Sequence, residues 1–144
     1  MRSLRHERRW ETAAGLRELG PELTVEVPDG VRTACHRYSE TELLPERLEC
    51  GLRLIRPFGD PSFGSVSVAW LPSGAVRLPW STSSQVAAEV LGRPVSFGRT
   101  EGDHRVLRAR VRFDAARQLK LFVQASDEAT ERGLLHTLAT LRRR

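Results

Sequence analysis

The clearest signal along the chain is a period of two in its last third. In HRVLRARVRF (104 to 113), Arg108, Arg110 and Arg112 alternate with Leu107, Ala109, Val111 and Phe113. That is the pattern of a strand with one cationic and one apolar side. PVSFGRT (94 to 100) and QLKLFVQA (118 to 125) flank it, so the sequence predicts an antiparallel meander turned at Glu101-Gly102-Asp103 and at Asp114 to Arg117. Ser126 is then placed as the N-cap of a final helix whose stripe is Leu134, Leu135, Leu138 and Leu141. Asp127 and Glu128 stand at the positive end of its dipole, and Arg142 to Arg144 at the negative end.

Earlier segments alternate as well. LTVEV (23 to 27) reads as a short strand ending at Pro28-Asp29-Gly30, and GLRLIRPF (51 to 58) as another. In GSVSVAWL (64 to 71), Val66, Val68 and Trp70 face one way and Ser65, Ser67 and Ala69 the other. A hairpin turn at Pro72-Ser73-Gly74 carries the apolar side on through Val76, Leu78 and Trp80. Two other stretches read as helices. Trp10, Ala13, Leu16 and Leu19 recur at three-residue steps from Leu4 to Leu19, with Gly20-Pro21 as the stop, and STSSQVAAEVL spaces Val86, Val90 and Leu91 helically. Residues 31 to 47 are ambiguous, with Ser39 and Glu42 of SETELL placed to cap a short helix before Pro45.

Assembled, these elements predict a single α+β domain over residues 1 to 144: an antiparallel sheet with helices packed on one face, closing in a strand-strand-helix unit. The N-terminal helix and first strand fall within residues 1 to 60, and the main sheet and C-terminal helix within 61 to 144.

Charge points toward a partner. The chain carries 23 Lys+Arg against 18 Asp+Glu, and Lys120 is its only lysine. Arginine is always charged and forks onto phosphate or carboxylate, although a GC-rich genome also enriches it. Residues 1 to 60 hold 10 Arg against 11 acids and residues 61 to 144 hold 13 Arg/Lys against 7, so an electrostatic partner is expected on the second part. No apolar run follows the charged start MRSLRHERRW, which predicts a cytoplasmic protein without a membrane span. Cys35 and Cys50 lack a C-x-x-C spacing, so no disulfide framework is expected.

On the polar side of the meander the candidate binding residues are Arg108, Arg110, Arg112, Lys120 and Phe122, with Gln124 beside them. An aromatic among cations stacks a base and neutralises neighbouring phosphates in RNA or single-stranded DNA. A merely solvated outer face, or one meeting an acidic protein patch, would carry the same pattern. His6, His36, His104 and His136 form no ligand pair, no serine stands in a G-x-S-x-G elbow, and FGDPSFG (58 to 64) has neither the spacing nor the lysine of a P-loop. No catalytic, metal or cofactor site is therefore expected.

The element order strand, helix, strand, strand, helix over residues 75 to 141 resembles the small dimerisation subunit of the KEOPS (EKC) complex, which takes part in threonylcarbamoyladenosine synthesis on tRNA. The likeness rests on Pro79-Trp80 before Ala87-Ala88-Glu89, and on Ala125-x-Asp127 with Arg132 five residues later. It implies a non-enzymatic subunit that forms a homodimer through helices and sheet edge, docks on a catalytic subunit and assists tRNA binding. The expected function is thus a non-catalytic subunit or adaptor of a multiprotein complex whose basic sheet face contacts RNA. Beside it stand a protein-interaction module of inhibitor or immunity type that binds an acidic partner, and a small-molecule binder or enzyme.

Overall fold

The protein is described by a computed structural model covering residues 13–39, 41–43, 46–56, 59–75 and 82–144. Period-two segments dominate it. In chain order they are β1 (Gly15–Glu18), β2 (Leu23–Val27), β3 (Val31–Tyr38), β4 (Arg47–Leu54), β5 (Gly64–Pro72), β6 (Ser84–Val90), β7 (Arg93–Glu101), β8 (Arg105–Arg112) and β9 (Arg117–Ala125). Helix α1 (Glu128–Leu138) and strand β10 (Arg142–Arg143) follow. The strands form a seven-stranded sheet in the order β3-β4-β5-β9-β8-β7-β6 and a three-stranded sheet in the order β1-β2-β10. All pairings are antiparallel. After β5 the chain crosses to the far edge at β6 and returns through β7 and β8, so that β9 pairs with β5 from Gly64↔Ala125 to Pro72↔Arg117.

The expected α+β architecture, helices packed on one face of a sheet, is thereby corrected. The described residues are mostly strand and contain one helix of 11 residues. SQVAAEV, within STSSQVAAEVL, forms β6 because Val86, Ala88 and Val90 alternate toward the interior and seven registered pairs join it to β7. Leu91 and Gly92, at φ 54° and 73°, make the two-residue turn of that hairpin. Helix propensity in Ala87, Ala88 and Glu89 is worth only tenths of a kcal/mol per residue, roughly, and yields to this pairing. The order over the described part of 75 to 141 is therefore four strands and a helix, which removes the first helix on which the KEOPS likeness rested.

Of the N-terminal helix expected at 4 to 19, residues 4 to 12 lie outside the described residues, and Gly15–Glu18 are a strand paired with β2. Gly20 is no helix cap. At φ +73° it lies where an added Cβ would come within 3.1 Å of Cys50 Sγ and 3.3 Å of Leu48 Cδ2, so only glycine fits the β1–β2 connection. The ambiguous segment supplies β3, and none of the described residues of SETELL, 39 and 41–43, is helical. The continuation through Val76, Leu78 and Trp80 lies outside the described residues.

The meander forms as expected, and so does the last helix as far as Leu138; Leu141 of the expected stripe lies beyond it, and Arg142–Arg143 are β10. Leu107, Ala109 and Val111 of β8 and Leu119, Leu121 and Val123 of β9 point into one apolar cluster with Leu23 and Val25 of β2 and Leu134 and Leu138 of α1. At about 25 cal/mol per Å² of apolar area removed from water, this contact is the main stabilising term. The cap of α1 is Asp127, whose carboxylate accepts from Thr130 N–H at 2.8 Å. Ser126 instead exchanges bonds with Phe63, its hydroxyl accepting from Phe63 N–H at 2.8 Å. Arg142 reaches the helix end by donating to the Ala139 carbonyl at 2.9 Å, while its backbone pairs with Thr24 of β2.

Cys35 and Cys50 form a disulfide, contrary to expectation. They are direct cross-strand partners in the β3–β4 ladder, with Cα atoms 4.0 Å apart, a relation that their separation of 15 residues conceals in the sequence.

Candidate functional site

The face of the seven-stranded sheet turned away from α1 and the three-stranded sheet carries the arginine ladder. Cross-strand pairing sets its layout in rows. One row runs His36, Glu49, Ala69, Lys120 and Arg110; the next runs Ala34, Gly51, Ser67, Phe122, Arg108 and Gly98. Small residues on β4 and β5 are thus flanked by the long side chains of β8 and β9 on one side and by Tyr38 and Arg47 of the β3–β4 pair on the other. The result is a groove of about 550 Å³, in which Tyr38, Arg47, Glu49, Arg110, Lys120 and Phe122 surround the floor of Ser67 and Ala69. Ala69 points outward and is still buried, because the stems of its long neighbours cover it.

All five residues expected on the binding face lie on it, but they divide into two groups. Arg110, Lys120 and Phe122 line the groove; Arg108 and Arg112 lie outside its lining. Phe122 is half-buried, and the Arg108 guanidinium sits over its ring, 5.1 Å from the centroid. This cation–π contact holds Arg108 in place and covers part of the aromatic surface expected to be open. Arg110 is half-buried and donates from Nη1 to the Ala75 carbonyl at 3.3 Å. Arg112 and Lys120 are exposed.

Sequence reasoning missed Tyr38, Arg47, Glu49 and Ser67. The signal for three of them was present: the alternation of GSVSVAWL puts Ser67 on the polar side, and Leu48, Cys50, Leu52 and Leu54 alternate through RLECGLRL, which puts Arg47 and Glu49 there too. Glu49 accepts from the Ser67 hydroxyl at 2.8 Å, so the one carboxylate of the groove is tied to its floor. Arg32, Arg47 and Arg53, all from the first part of the chain, have register positions on this face. The cationic surface therefore draws on both halves and not on the second alone.

Carboxyl groups held below their usual range lie elsewhere. Glu22 and Asp114 are lowered first by hydrogen bonds from Arg117, Asp127 by the Thr130 N–H, and Asp60 by the Ser62 N–H. Each shift runs away from the range of a general acid or base at neutral pH. Among the described residues no set of three His, Cys, Asp or Glu side chains converges to hold a metal ion, and the disulfide removes both cysteines from any ligand set. No helix among the described residues is long and apolar enough to cross a membrane. No family model, curated protein or solved structure matches the chain.

Proposed function

We propose that the protein is a non-catalytic binding module, working as a subunit or adaptor, whose open sheet face holds single-stranded nucleic acid, RNA in the first instance. The observation that carries this reading is the groove itself: Arg47, Arg110 and Lys120 around a floor of small residues, with Tyr38 and Phe122 beside them. Cations at this spacing neutralise successive phosphates, and the aromatic rings give bases an apolar surface. An acidic peptide would use the same cations but would gain less from the rings. A cytoplasmic location suits an RNA partner, whereas the Cys35–Cys50 bond suits an oxidising compartment, where structural disulfides persist.

The test is fluorescence anisotropy with mixed-sequence RNA across a salt series. With Arg47, Arg108, Arg110, Arg112 and Lys120 each neutralising one phosphate at about 0.7 per contact, log Kobs falls against log salt with a slope of about −3.5. Arg110→Ala with Lys120→Ala takes about 1.4 off that slope while the melting curve holds. Absence of RNA and DNA binding at low salt, with retention of polyglutamate, would transfer the face to an acidic protein partner.

A further inference from the structure

A second cationic groove, of about 530 Å³, lies where β8 ends beside the β6–β7 turn. Arg93, Arg112, Arg142 and Arg143 line it together with Leu91 and Phe113. All four arginines are exposed, and three are held by main-chain carbonyls. Arg93 donates to the Arg112 carbonyl, Arg142 to Ala139 and Leu141 at 2.9 and 2.7 Å, and Arg143 to Phe113 at 2.9 Å. The Arg143 guanidinium also lies over the Phe113 ring, 4.6 Å from its centroid. A guanidinium has five N–H donors, so heads anchored in this way keep donors for a ligand and lose little freedom on binding it.

The acids nearby offset only part of this charge: Glu22, which shares Arg117 with Asp114, also interacts with Arg143. Asp114 lines the groove, but its Oδ2 accepts from Arg117 Nη2 and Nε at 2.7 and 3.1 Å, and its Oδ1 from the backbone N–H groups of Ala116 and Arg117 at 2.9 and 2.7 Å. Glu89 stands 3.9 Å from Arg142, at the edge. The apolar wall comes from a strained position: Leu91 adopts φ +54°, where asparagine or glycine is usual, and packs against the core. A turn that keeps leucine there shapes the groove at the expense of local comfort.

We infer that this groove is a second phosphate subsite for the strand held on the open face, an inference that rests on the reading given under Proposed function. Arg112 links the two surfaces: it continues the outer side of β8 about 7 Å beyond Arg110, two residues of strand rise away, and also lines the second groove. A strand following Arg108, Arg110 and Arg112 runs off the sheet into it, where the arginines fork onto the non-bridging oxygens of its phosphodiesters. The subsite lengthens the footprint without reading sequence.

The experiment compares fluorescein-labelled oligouridylates of about four and about twelve nucleotides, which bracket common single-strand site sizes. Wild type is expected to bind the longer probe at least tenfold more tightly. Arg93→Glu with Arg142→Glu erases that advantage and leaves the short probe's affinity unchanged; Arg93→Ala with Arg142→Ala loses part of it and guards against misfolding of the charge-reversed protein, monitored by circular dichroism. Equal affinity of wild type for both probes, or equal weakening of both by the substitutions, overturns the second subsite and leaves the open-face reading standing. Failure of wild type to bind either probe overturns both.

Discussion

Removing the carboxylate of Glu131 tests what holds α1 to the main sheet. Glu131 is 3% exposed, on the side of the helix facing β7 and β8. Its two oxygens accept from Arg99 Nε and Nη2 at 2.9 and 2.6 Å, and from Arg105 Nε and Nη2 at 3.2 and 3.5 Å. Glu131→Ala leaves two guanidiniums facing a cavity. Breaking a fully buried pair costs about 3–5 kcal/mol. Here Arg99 and Arg105 keep side-chain exposures of 19% and 23%, and Arg105 retains Glu101 at 3.4 Å. Water and Glu101 relieve part of the loss, so the expected cost is about 2–3 kcal/mol, or a melting temperature about 4–12 °C lower for a chain of this size. Urea unfolding at neutral pH measures it. The apolar replacement Arg99→Met, Arg105→Met and Glu131→Leu should recover stability to within about 1 kcal/mol of wild type, because removing a whole ion cluster also removes its desolvation cost. A Glu131→Ala protein within roughly 0.5 kcal/mol of wild type, the range of an ordinary surface change, would refute the reasoning.

Two further predictions follow from the ion network and the disulfide. Arg117 bonds Glu22 at 2.6 and 2.7 Å and Asp114 at 2.7 and 3.1 Å, which holds both carboxyls below their usual values. Groups with depressed folded pKa values stabilise above the unfolded values of about 4.3 and 3.9 and lose that contribution as pH falls, so stability should drop between about pH 5 and pH 2. In Arg117→Met that part of the acid-unfolding profile flattens; an unchanged profile counts against the network. Cys35→Ser with Cys50→Ser opens a loop whose ends are 15 residues apart, which costs about 3 kcal/mol on the chain-entropy account. Denaturant midpoints of the variant and of reduced wild type should agree with each other and lie below the oxidised protein, and identical midpoints for all three would show that the bond contributes nothing.

The fold was legible where side chains alternate strictly. β2, β5, β8 and β9 follow from apolar residues at every second position, whose side is buried throughout while the other stays partly open except at Ala69 and Leu71 of β5. It was illegible where that signal is diluted. VRTACHRY of β3 has one large aliphatic, Val31, and as an edge strand it buries little. β6 has alanine at positions where valine would have declared a strand. β1 pairs with β2 through GLRE, in which Leu16 is 64% exposed, so its apolar residue marks no core. In these segments local preference says helix or nothing, and long-range pairing decides.

The groove was hidden for a related reason. A ladder of arginines is visible in one strand, but a concavity needs small residues beside large ones, and that contrast exists only after strands far apart in the chain are aligned. Ser67 and Ala69 become a floor because β9 lies against β5 and sets Phe122 and Lys120 opposite them. Arg110 becomes a wall because β8 lies beyond β9. Tyr38 and Arg47 complete the rim because β3 and β4 close the other edge. Contrast in bulk makes the hollow: replacing Ala69 by Leu would fill it without removing any cation. RNA affinity retained in Ala69→Leu would locate binding on the charges alone, whereas a loss comparable to that of Arg110→Ala with Lys120→Ala makes the shaped floor a requirement of the interaction.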